Sequence, residues 1–225
     1  MGLQALNDAD LKRLGRLHTV AEAKAALDVA FAAFNRISFD LIYARQHQSL
    51  DAWRAELGEA VQLARGHLSL YQLTIEDGTA FGDRYAKGKL PDLPADDAGA
   101  DMYALTQELC AAAGLSAYEI SNPAAPGHAS QHNLIYWRGG DYAGIGPGAH
   151  GRLTYGGQRY ATATPLAPTA WLKQVEDTGA GETPREALSV ADVVAERVMM
   201  GFRTVEGIEL DDDARENTNS NNINN

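Results

Sequence analysis

Ile37-Ser38-Phe39-Asp40-Leu41-Ile42-Tyr43 is a β-rich run that reads as a short buried strand, interrupted only by Ser38 and Asp40. On its amino-terminal side Thr19 and Glu22 form a capping-box pattern. That pattern announces a helix to about Phe34, with Ala23, Leu27, Ala30, Phe31 and Phe34 spaced along one apolar face. On its carboxy-terminal side Ser49 caps a second helix to about Ala64, and His67 to Ile75 reads as the next strand. Farther out, Gly2 to Leu6 reads as the end of a buried strand with no room before it for the strand itself, so a missing front is expected. Asn7-Asp8 can cap a short helix through Leu14, which Gly15 stops. A third long helix starts at Asp96, carries Met102, Leu105 and Leu109 inward and closes at Gly114, before a strand over Ala117 to Ile120. Strands alternating with helices predict an α/β fold on a parallel sheet, because each parallel pair needs a right-handed crossover. A barrel-like and a doubly wound sheet both fit.

The regular alternation ends at about residue 121. From there to Thr164 the chain is dense in Gly, Pro, Asn and aromatics and reads as short strands and ordered loops. Two helices follow, near Thr169 to Glu176 and from a Ser189/Asp192 cap to about Met200, which suggests a small helical appendage. Residues 1–121 are therefore expected to form the α/β part and 122–210 a smaller α+β or helical region. Six of the nine residues from Asn217 to Asn225 are Asn, so 211–225 reads as a disordered tail that cannot bury a core.

The 225 residues, 45% hydrophobic and 22% charged, are enough for a sizeable core. A net charge of −11 argues against a non-specific nucleic-acid binder, although a local basic pocket is compatible with it. The single cysteine, Cys110, cannot form an internal disulfide. With no apolar run of membrane-spanning length and no export signal at residues 1–10, a cytoplasmic location is expected.

Polar residues near strand ends are the first candidates for chemistry, because ligands of parallel α/β proteins bind outside the carboxyl ends of the strands. Gln4, Asp40 and Thr74 occupy such positions or nearby ones. Asp40, inside an apolar run, must be paired with neighbouring backbone or bound to a ligand. Arg16, just past Gly15, is either a solvated surface residue or a two-pronged clamp for a carboxylate. A second group comprises His128, the block His132-Asn133-Leu134-Ile135-Tyr136-Trp137, and His150. Its imidazoles could ligate a metal and its aromatics could pack on a planar macrocycle, or the histidines are structural turn residues. Gly144 to Gly151 is either a close approach to a ligand or a tight bend at a sheet rim. Pro147 and the lack of a following helix weaken a dinucleotide fingerprint there.

Taken in series, Gln4 with Asn7-Asp8, Gly15-Arg16-Leu17-His18, Phe39 to Tyr43, His67-Leu68-Ser69-Leu70-Tyr71, Tyr118-Glu119-Ile120-Ser121-Asn122, His132 to Trp137 and Gly144 to Gly151 resemble the HemW branch of the oxygen-independent coproporphyrinogen oxidase family, within the radical SAM superfamily. The resemblance covers residues 1 to about 210. It implies a partial (β/α) barrel of radical SAM type, with the cofactor across the carboxyl ends of the strands. It matches Gln4, Arg16 and Asp40 to contacts with S-adenosylmethionine, Asp40 suiting the ribose hydroxyls and Arg16 a carboxylate. Thr74 and His150 match further contacts. It makes His132, in a block like the heme-binding signature of the chaperone branch, the axial ligand of heme. It also implies a heme chaperone delivering heme to apoproteins such as respiratory enzymes, with peripheral membrane association and a homodimer as compatible arrangements. The alternative within the family is an oxidase that decarboxylates coproporphyrinogen. The family holds a [4Fe–4S] cluster with a C-x3-C-x2-C loop that this chain lacks, so no radical chemistry is expected from this polypeptide alone. Gln46-His47 stands where the family usually has a Pro-Gly turn, and Pro123 replaces an aromatic.

Overall fold

The computed structural model describes residues 1–208, which fall into two compact units, Met1–Ala129 and the part from Ser130 onward. The expected tail at 211–225 lies outside the described residues. Among the described residues no helix is long and apolar enough to cross a membrane.

In the first unit, β1 (Gly2–Gln4) leads through α1 (Asp8–Arg13) and α2 (Val20–Ala33) to β2 (Phe39–Tyr43), and α3 (Leu50–Leu63) leads to β3 (Leu68–Gln72). These strands form one sheet in the order β1-β2-β3, parallel throughout. The caps are local and as expected. The Asn7 side chain accepts from the Ala9 and Asp10 amides, Thr19 and Glu22 close a reciprocal capping box, and Ser49 accepts from the Ala52 amide.

The β2–β3 register decides which residues share a face. Phe39 pairs with Leu68 and Leu41 with Leu70, all buried, while Asp40 pairs with Ser69 on the opposite face. Against the apolar face pack Ala23 and Leu27 of α2, Trp53, Leu57 and Ala60 of α3, and Met102, Leu105 and Cys110 of α5 (Asp96–Ala112). Among the described residues all three long helices of this unit lie on one face of the sheet, as in the wall of a barrel, where a doubly wound sheet carries helices on both. Phe34, expected on this apolar face, is 68% exposed, because α2 ends at Ala33 and the cap residue turns out into extended backbone.

Two features were not anticipated. A short helix, α4 (Ala80–Ala86), is capped by Thr79. The strand expected over Ala117 to Ile120 does not join the parallel sheet. Instead β4 (Ser116–Glu119) turns back on β5 (Asn122–Ala124) in an antiparallel pair, and Ala124 bridges His67. This hairpin holds the chain in the first unit to Ala129, beyond the expected boundary at residue 121. The turn after β2 also departs from simple backbone. His47 has φ of 60°, a left-handed conformation that favours glycine, and is held there by its amide on the Asp92 carbonyl (2.8 Å) and its Nδ1 beside the Asp92 carboxylate (3.0 Å).

The second unit consists of α6 (Gln131–Trp137), β6 (His150–Tyr155), β7 (Gln158–Ala163), α7 (Pro168–Thr178), β8 (Glu186–Ala187) and α8 (Val190–Gly201). Its strands form an antiparallel sheet in the order β6-β7-β8. The His132 to Trp137 block, expected among loops and strands, is therefore helical, started by the Ser130 hydroxyl accepting from the Asn133 amide.

Candidate functional site

In the first unit Gln4, Arg16 and Asp40 meet. The Gln4 amide donates to the Asp40 carboxylate, and the Arg16 guanidinium donates to Gln4 Oε1 at 2.7 Å. The contact depends on a local irregularity. The β1–β2 register shifts between Gly2 and Gln4, and Gln4 takes φ of 71°, a conformation that a non-glycine residue keeps only when its surroundings hold it. Gly2 leaves the space, since a Cβ there would lie 3.3 Å from Gln4 Nε2. Asp40 is the second residue of β2 and not at its carboxyl end; the stagger of the strands brings it to Gln4, which does end β1. Arg16 is exposed, Asp40 half-buried and Gln4 buried, so the group runs from solvent into the sheet. Thr74 is exposed two residues past β3, its hydroxyl turned onto the Gln72 carbonyl at 3.3 Å.

Beside Asp40, the face of the sheet continues in polar groups that sequence reasoning missed. The Ser69 hydroxyl donates to Asn122 (2.5 Å), and Asn122 and the Ser121 amide donate to the buried carboxylate of Glu119. His67, 6% exposed, lies within hydrogen-bond distance of the Ser38 hydroxyl (2.6 Å) and the Tyr118 hydroxyl (3.0 Å). Burial pushes His67 down to about 4, with Arg36 and His128 adding to the effect. The unfolded chain, with His near 6.5, binds the extra proton across the window from about 6.5 to about 4, so stability is lost as pH falls through it. Urea unfolding should show the parent losing on the order of 2–3 kcal/mol more than His67→Gln between pH 7 and pH 4. Equal losses in the two proteins would mean that His67 is not the group responsible.

A larger polar network ties the strand ends below this face. Arg45, 3% exposed, reaches Asp10 (2.9 Å), Glu56 (2.6 Å) and the Ile42 carbonyl, and Glu56 also accepts from the Leu6 amide (2.7 Å) and Gln48 (3.1 Å). The only sequence signal for it was a charged residue two positions past an apolar strand.

In the second unit His132 is exposed on α6, its Nε2 2.7 Å from the Tyr136 hydroxyl and the two rings edge to face. Tyr136 in turn meets Tyr142 edge to face, with centroids 4.4 Å apart. These two tyrosines and Trp137 wall a cavity of about 480 Å³. His150 begins β6 and is exposed, whereas His128 belongs to the first unit, where its ring lies on the Gly66 backbone. The glycine run makes a tight bend. A Cβ on Gly144 would strike the His150 backbone at 2.5 Å, and one on Gly151 would strike Thr162 Oγ1 at 2.4 Å. Here the close approach is to the chain's own atoms.

The residues do not fit a cysteine-bound iron–sulfur cluster. The one cysteine, Cys110, is buried in the core, where burial pushes its thiol up to about 12, and among the described residues no cluster of three or more His, Cys, Asp or Glu could hold a metal ion.

This fold is similar to that of about half of a solved radical SAM enzyme: coproporphyrinogen III oxidase (HemN) from Escherichia coli superimposes with a TM-score of 0.75 over 97% of this chain and 51% of its own, at 19% identity. The sequence carries the relationship further. The chain is 38% identical over 213 residues to radical S-adenosyl methionine domain-containing protein 1, mitochondrial, of Danio rerio, covering 92% of this chain and 48% of that protein. It is 45% identical over 156 residues to heme chaperone HemW of Escherichia coli (69% and 40%), and 34% identical over 215 residues to HemW of Lactococcus lactis (92% and 53%). The chain belongs to the family of these proteins and spans about half their length. No family model matches it.

Proposed function

We propose that the protein this chain represents binds heme through His132, associates with S-adenosylmethionine through Gln4, Arg16 and Asp40, and passes heme to apoproteins. The relatives named heme chaperone HemW support the heme reading. The observation that carries it is an exposed imidazole held edge-on by Tyr136 beside an aromatic-walled cavity. A neutral imidazole nitrogen is a common axial donor to heme iron, and the flanking rings suit a flat macrocycle. For Nε2 to bind iron, the Tyr136 hydroxyl must release it, and an exposed hydrogen bond of that kind is worth only about 1 kcal/mol.

Heme titration of the intact chain, followed by the Soret band, tests the assignment. His132→Ala should lose the ligated spectrum, and Tyr136→Phe should bind a few-fold more tightly because the competing hydrogen bond, worth about 1 kcal/mol, is gone. If His132→Ala gives the parent's spectrum and affinity, the axial assignment is wrong.

For S-adenosylmethionine, the support is the hydrogen-bonded row of Gln4, Arg16 and Asp40 on the sheet face away from the helices. Asp40 suits ribose hydroxyls and Arg16 a carboxylate, with Thr74 as a further contact. The [4Fe–4S] cluster of this family, when bound, supplies an electron; its ligands are not among the residues of this chain.

A further inference from the structure

We infer that the cavity walled by Tyr136, Trp137 and Tyr142 binds the carboxylate-bearing edge of a planar aromatic molecule, with Arg138 and Arg159 as the carboxylate-recognising groups. This deepens the heme reading and rests on it: a porphyrin has both the flat apolar body and the acidic edge.

Charge is the first support. In a chain of net charge −11, this cavity is lined by four arginines (138, 152, 159 and 197) and one carboxylate, Glu196. Arg152 has all three guanidinium nitrogens engaged, Nε and Nη2 on Glu196 and Nη1 on the Gly151 carbonyl at 2.9 Å, so it neutralises Glu196 and serves as wall. Arg138 places Nε and Nη2 on Glu206, and Arg159 places one nitrogen on Asp141 (3.1 Å) and one on the Gly140 carbonyl (3.2 Å). A guanidinium carries five N–H donors, so each keeps donors for a further acceptor while its existing bonds fix its position. Arg138 stands at the rim, with half its side chain exposed, and Arg159 lies deeper.

Shape is the second. The volume, about 480 Å³, is that of a small-molecule site, and Val193 and Met200 extend its apolar lining. Tyr136 joins this cavity to His132, since its ring lines the one and its hydroxyl meets the other. One ligand could therefore offer a metal to the imidazole and carboxylates to the arginines.

The test uses the whole chain and two probes, metal-free protoporphyrin IX and its dimethyl ester, read by quenching of tryptophan fluorescence, Trp137 being in the cavity wall. The free acid should bind at least about tenfold more tightly than the ester, and Arg138→Gln combined with Arg159→Gln should erase that difference. Equal affinity for acid and ester in the unaltered chain would overturn the proposal, and this comparison needs no variant to fold. A double variant with the parent's circular dichroism that kept the preference for the acid would overturn it as well. The two readings fail separately. An ester-sensitive cavity with a heme spectrum indifferent to His132→Ala sinks the axial assignment alone, and a His132-dependent spectrum without carboxylate preference sinks the cavity alone.

Discussion

Arg45→Ala is expected to destabilise the first unit by about 3–5 kcal/mol, measured as the shift in urea unfolding followed by far-ultraviolet circular dichroism. The guanidinium holds two carboxylates, Asp10 and Glu56, whose side chains are only 14% and 9% exposed, and also caps the Ile42 carbonyl at the end of β2. Taking it away leaves two poorly solvated like charges facing one another, which costs more than the pair contributed in place. Arg45→Lys should fall between the two, since it keeps the charge and loses the fork that reaches both acids. Adding Asp10→Asn and Glu56→Gln to Arg45→Met should recover much of the loss by removing the unpaired charges. A loss below about 1 kcal/mol for Arg45→Ala would show that solvent already screens the network. The consequence reaches the candidate ligand contacts, because Glu56 holds the Leu6 amide two residues beyond Gln4. Loosening that anchor should weaken the Gln4–Asp40 contact that depends on a strained backbone.

A loss of similar size, about 3–5 kcal/mol, is expected for Trp53→Ala. Trp53 is fully buried and stacks on Tyr43 with centroids 5.2 Å apart, joining α3 to the end of β2. Its indole donates to Thr106 on α5 (2.9 Å), and the Thr106 hydroxyl donates to the Met102 carbonyl (2.7 Å). The alanine variant opens a cavity between two helices and the sheet that a rigid core cannot close. Trp53→Phe separates the terms. It keeps most of the ring contact and loses the hydrogen bond, so about 1–2 kcal/mol is expected. If phenylalanine costs as much as alanine, the indole hydrogen bond outweighs packing at this site.

Much of the helical framework could be read directly. Asn7, Thr19 with Glu22, Ser49 and Ser189 with Asp192 all cap helices where their spacing predicted. The β2 and β3 segments were legible from their apolar runs, and their parallel direction from the helix between them. The strand after α5 misled for the same reason. It also followed a helix, yet the tight turn at Ile120-Ser121 sent the chain back antiparallel, and nothing in the periodicity of Ala117 to Ile120 distinguishes the two outcomes. The helix at Gln131–Trp137 was hidden because its seven residues are too few to show a period.

Of the candidate residues, Gln4, Arg16 and Asp40 could be nominated one by one, but their meeting could not be read, because it depends on a register shift between strands 36 residues apart. The Arg45 network and the arginine-lined cavity were not nominated at all. Each joins side chains from several elements that are unremarkable along the chain.

By itself, then, the order of residues determined where helices start, which runs are strands and which family the chain resembles, since caps and apolar runs act over one or two turns of backbone. Tertiary structure alone decided the direction of the β4–β5 pair, the face of the sheet that stays polar and the pairing of Arg45. Those are set by cross-chain register and by how little room a folded core leaves for unpaired charge.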